Sequence, residues 1–84
     1  MTELRSLHER IARIFSEQIR VEVPSVDTDL FETSILDSLG LVDLVVWLEQ
    51  EFDVRVTVED LEIDNFRSIA SIAEFTAKKI KLAA

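Results

Sequence analysis

The chain has 84 residues, a net charge of −8, one histidine, one glycine, one proline and no cysteine. That size bounds it to one small domain, spanning residues 1–84, with little core to spare. Without cysteine there is no disulfide framework and no thiolate metal site, and the single His8 cannot make a metal cluster. The negative charge argues against nucleic acid as a partner, because phosphates would be repelled. No apolar run approaches membrane-spanning length, and Met1–Arg10 lacks the apolar centre of a secretory signal, so a cytoplasmic protein is expected.

Scarce glycine, proline and β-branched alternation point to helices. Thr2 can cap a first helix, with Glu3 in its first turn. Leu4, Leu7, Ile11, Ile14, Phe15 and Ile19 repeat mostly at three and four, which predicts one apolar stripe on a helix ending near Arg20. The stretch from Glu22 to Asp37 holds Pro24 and several Asp, Ser and Thr residues. It reads as a long ordered loop pinned by Val26, Leu30, Phe31 and Ile35. Asp27 and Asp29 do not make a calcium loop, since the required glycine and terminal glutamate are missing.

A second helix is predicted from Ser38, placed as its N-cap, to about Phe52. At about 100° per residue, Leu41, Leu44, Val45, Leu48 and Phe52 share one face, the core stripe. Leu39, Val42 and Val46 make a second apolar cluster roughly opposite, which is expected to stay partly exposed and to meet partners. Trp47 lies between the two faces and is expected to pack on the long loop. Val54–Val58 reads as a short extended link, and Thr57 with Asp60 has capping-box spacing for a helical turn. The last helix is expected from about Ser68, with Ile69, Ile72, Ala73, Thr76 and Ile80 inward. Lys78, Lys79 and Lys81 would then favour the negative end of its dipole. The expected fold is all-α: a small four-helix bundle of three main helices and one short one, with a long loop between the first two.

Charge is unevenly spread. Between Val21 and Phe66 there are thirteen acidic residues against Arg55 alone, a charge of −12. Such a middle suits basic partners reached by electrostatic steering, although a solvated acidic surface would carry the same composition. Ser38 sits at the mouth of the second helix, between Asp37 and the second apolar cluster. Helix capping is the ordinary role of a serine there. A serine hydrolase is a poor fit, because no general base is evident and there is no glycine-rich oxyanion loop.

Asp37-Ser38-Leu39 at a helix start, in a small acidic helical domain, resembles the acyl carrier protein family. Leu30-Phe31 with Ile35-Leu36, Leu48-Glu49 through Phe52, and Asn65-Phe66-Arg67-Ser68-Ile69 are similar to its other segments, so the resemblance covers nearly the whole chain. Gly40 departs from the pattern, standing where fatty-acid-synthase carriers often have an acid. The resemblance implies a 4'-phosphopantetheine arm, transferred from coenzyme A onto Ser38 by a phosphopantetheinyl transferase, with Asp37 and Leu39 flanking the attachment. The arm's thiol would hold an acyl or aminoacyl thioester. The carrier would catalyse nothing, and would dock partners through Leu39, Val42, Asp43, Val46 and Glu49. Expected partners are the transferase, an acyl- or aminoacyl-loading ligase or acyltransferase, and a downstream synthase, with no membrane and no metal. A discrete, monomeric carrier is expected, of the aminoacyl/D-alanyl or specialised polyketide or nonribosomal type. The alternative is an acidic adaptor that docks a partner through the second helix and bears no prosthetic group.

Overall fold

In the computed structural model, residues 4–83 are described. Thr2, Glu3 and the side chain of Lys81 lie outside the described residues, and with them the expected first cap. Helix α1 runs from Leu4 to Ile14 and widens into a π-helical turn over Phe15–Ile19. Arg20 closes it in the left-handed conformation (φ 66°), and Val21 N–H reaches back to the Phe15 carbonyl at 2.9 Å. Helix α2 spans Ser38–Phe52, a 3-10 turn Val58–Asp60, α3 Ile63–Phe66 and α4 Ile69–Ala83. The described residues form no strand.

Leu7, Ile11, Ile14 and Phe15 of α1, Leu44 and Leu48 of α2, and Ile69, Ile72 and Ala73 of α4 make the core, as their spacing predicts. Thr76 is buried with them, and Ile80 packs on their edge. Phe52, Leu41 and Val45, expected inside, are half-buried and pack against the core, and the Phe52 ring lies under the Arg10 guanidinium at 4.4 Å. The core also takes Leu36, Phe66 and Phe75, which the apolar stripes do not single out; the last two rings meet at 5.2 Å between centroids.

The loop between α1 and α2 is ordered by its backbone. Leu30 N–H donates to Arg67 O (2.7 Å), Ala70 N–H to Val26 O (2.9 Å), and Leu36 N–H to Leu30 O (2.9 Å). Those three bonds hold Leu30 and Leu36 in the core and stitch the loop to the α3–α4 junction. Arg67 adds ion pairs to Asp29 on the loop and Asp64 on α3, both at 3.3 Å. The loop therefore arrives at Ser38 from a fixed direction.

Candidate functional site

The start of α2 is capped by Asp37, not by Ser38. Asp37 is extended (φ −124°, ψ −172°), and its Oδ1 accepts the Gly40 N–H at 2.7 Å. Ser38 is the first helical residue and is exposed. The difference from the sequence reading has a simple cause: a carboxylate is as good a cap as a hydroxyl, and its charge is further favoured by the positive end of the helix. Once Asp37 holds the cap, the Ser38 hydroxyl is left for other chemistry.

Gly40 bears on this turn. A Cβ there would lie 3.2 Å from Asp37 Oδ1 and 3.4 Å from Leu36 Cδ1. Leu36 is buried and cannot yield easily, so a larger residue would press on the capping carboxylate.

The second apolar cluster of α2 is open to solvent. Leu39 is 79% exposed, Val42 59% and Val46 44%. Asp43 is exposed beside them. Glu49, expected among the docking residues, is half-buried and takes part in a backbone contact. Its Oε2 accepts the Val56 N–H at 2.9 Å, which ties the link after α2 back to the helix. Trp47 is half-buried against the core and lines a groove of about 460 Å³ between α1 and α2, with Arg10, Ile14 and Glu51 among its walls. Arg10 crosses that groove, donating from Nε and Nη2 to Glu51 Oε2 at 3.0 and 2.9 Å.

Spacing did not reveal the polar hub at Asp60, beyond its share in the capping box. Asp60 Oδ2 accepts from Thr57 N–H at 2.9 Å and Thr57 Oγ1 at 3.0 Å, and it pairs with Lys79 of α4. The Asp60 carbonyl accepts from Asn65 Nδ2 at 2.9 Å. Lys79, with help from the Thr57 amide, holds the Asp60 carboxyl below its ordinary value of 3.8. At Asp29 the Glu32 N–H does most to the same effect, against partial burial, with Phe31 N–H and Arg67 assisting. Among the described residues no three His, Cys, Asp or Glu side chains gather as a metal site, and no helix is long and apolar enough to cross a membrane.

Comparison with known proteins places this geometry. Residues 9–76 match the family described as the phosphopantetheine attachment site. The chain belongs to that family. It is a carrier protein that bears phosphopantetheine, and it is not itself an enzyme. It is 38% identical over 66 residues to a D-alanyl carrier protein of Streptococcus sanguinis, covering 79% of this chain and 80% of that one. It is 31% identical over 70 residues to a D-alanyl carrier protein of Streptococcus pyogenes serotype M5, covering 82% and 89%. Its fold matches a crystal structure of an acyl carrier protein from Thermotoga maritima with a TM-score of 0.77, at 26% identity over 96% of this chain and 94% of the other. An exposed serine at the first position of a 15-residue helix fits the group, since a transferase can reach its hydroxyl and the helix start favours a phosphodiester.

Proposed function

We propose that Ser38 is the point of phosphopantetheine attachment, and that the cargo on the arm is an aminoacyl group of the D-alanyl kind. The observation that carries the first half is the exposed Ser38 at the start of α2, freed from capping by Asp37 and bordered by the apolar Leu39, Val42 and Val46. The second half is supported by the streptococcal relatives, which are D-alanyl carrier proteins. When bound, the group supplies a thiol on a flexible arm, and the thioester made there travels between active sites at high effective concentration. The chain's own residues present the serine, cap the helix, and offer a small apolar surface with Asp37 and Asp43 at its edge. In this reading Leu39, Val42, Asp43 and Val46 meet the transferase and an ATP-dependent loading ligase in turn, within a dedicated biosynthetic route.

Intact mass spectrometry after incubation with coenzyme A and a broad-specificity phosphopantetheinyl transferase tests the attachment. Wild type should gain one phosphopantetheinyl group, and Ser38→Ala should gain none. A Ser38→Ala chain that is still modified would put the arm elsewhere. The cargo is tested by offering the modified protein D-alanine, L-alanine, other amino acids and simple carboxylic acids, each with ATP and an activating ligase. Preferential loading of a carboxylic acid that lacks an amino group would refute the aminoacyl assignment.

A further inference from the structure

Gly40 is the one glycine in 84 residues, and it stands inside the first turn of α2, two residues after Ser38. Its backbone does not call for glycine, since it lies within the helix and its φ is not positive. Glycine weakens a helix relative to alanine, so the position carries a cost that backbone conformation does not explain. Space explains it. A Cβ at residue 40 would lie 3.2 Å from Asp37 Oδ1, closer than ordinary contact, and 3.4 Å from Leu36 Cδ1. Neither neighbour is free to retreat. The Asp37 carboxylate is held by the Gly40 N–H at 2.7 Å, and Leu36 is buried with its own N–H on the Leu30 carbonyl at 2.9 Å.

Two cap registers compete at this turn, one residue apart, because aspartate and serine cap equally well. In the register seen, Asp37 caps the helix, Ser38 is the first helical residue, and the Leu41 N–H bonds the Asp37 carbonyl at 2.8 Å. In the other, Ser38 would be extended and its Oγ would accept the Leu41 N–H, leaving the Asp37 carboxylate without the Gly40 amide. That register disables Ser38, because a hydroxyl that accepts a backbone amide turns in toward the helix and commits a lone pair. Transfer from coenzyme A needs that pair. Ser38 Oγ bonds to the phosphorus that bears pantetheine, the phosphoanhydride bond to the adenosine bisphosphate breaks, and the hydroxyl proton passes to a base on the transferase. We infer that Gly40 is a positioning residue for the modification of Ser38: its missing side chain keeps the cap on Asp37 and the serine hydroxyl free. The inference rests on the Ser38 reading.

The probe is a phosphopantetheinyl transferase with coenzyme A, followed by steady-state kinetics with the carrier as the varied substrate. Gly40→Ala should lower kcat about fivefold or more and leave KM near wild type, because Leu39, Val42 and Val46 are untouched. Amide hydrogen exchange at residue 40 should speed up in the same variant, since its N–H loses the carboxylate. Leu36→Val draws back the second neighbour. Added to Gly40→Ala it should restore both readouts, and alone it should change neither. Gly40→Ala modified at the wild-type rate overturns the inference and leaves the Ser38 reading intact. So does a slower rate with unchanged exchange at residue 40, which would make the new Cβ a clash with the transferase. A raised KM at unchanged kcat would make residue 40 a docking contact and refute the inference equally. A wild type that gains no mass overturns both readings. If Gly40→Ala does not fold, the double variant decides: wild-type kcat supports the inference, and a lowered one refutes it.

Discussion

Asp37 and Ser38 are adjacent, yet the backbone gives them separate duties. Asp37 must be extended for its carboxylate to turn back onto the Gly40 amide, and Ser38 must be helical for its side chain to stand at the outer edge of the first turn. The two roles separate by substitution. Asp37→Ala loses the cap and should cost about 0.5–2 kcal/mol in a urea melt. Asp37→Asn keeps a cap of equal rank, so its stability should stay near wild type. A slower modification rate in Asp37→Asn at unchanged stability would then report the lost charge as a contact to the transferase. Equal destabilisation by both substitutions would show that the cap depends on the carboxylate's charge and not on an oxygen acceptor.

At the scale of the element, α2 has two apolar faces with opposite fates. Leu48 is fully buried, and Leu48→Ala should cost about 2–5 kcal/mol. Val46, two residues away in sequence and turned outward, should tolerate Val46→Asp within about 0.5 kcal/mol while transfer to or from partner enzymes slows. A thermal melt of each variant beside its modification rate checks the pair. Unfolding of Val46→Asp would mean that the outer stripe is core. These faces were legible in the sequence because fifteen residues of α2 keep a helical period without interruption. The four-residue α3 was not, since one turn carries no period, and its buried Phe66 was marked only by the family resemblance of its segment. Leu30 was expected to pin the loop and is buried, whereas Leu36 was not singled out. Loop residues have no periodicity, and their burial goes with backbone bonds, Leu30 to Arg67 and Leu36 to Leu30, that sequence spacing does not encode. The assignment of the cap to Ser38 rather than Asp37 failed for a related reason: both are good caps, and only the direction of the incoming loop chooses between them. Glu49 likewise reads as a surface charge until the returning link supplies an amide for it.

The whole molecule joins an acidic middle to helices that hold most of the bases, and two of the joints are ion pairs: Asp29 with Arg67 and Asp60 with Lys79. The first ties the long loop to the α3–α4 junction, and the second ties the link after α2 to α4. Both carboxyls lie below the ordinary aspartate value of 3.8 in the folded chain. A folded value below the unfolded one means that the unfolded chain binds more protons as pH falls, so acid favours unfolding. The contribution is fully present above about pH 5, begins to fall as the unfolded carboxyls take up protons near their ordinary value, and is gone below the folded values. Acid has an opposing effect on the other acids of the middle stretch, whose mutual repulsion it relieves. The two effects separate in Asp29→Asn/Asp60→Asn. The double variant should be less stable than wild type at pH 7, because both ties are lost. Its urea midpoint should fall less steeply between about pH 5 and pH 2, because two proton-linked groups are gone. Parallel wild-type and variant curves across that window would show that the ties contribute no pH-dependent stability, and that acid acts on this chain through its net charge alone.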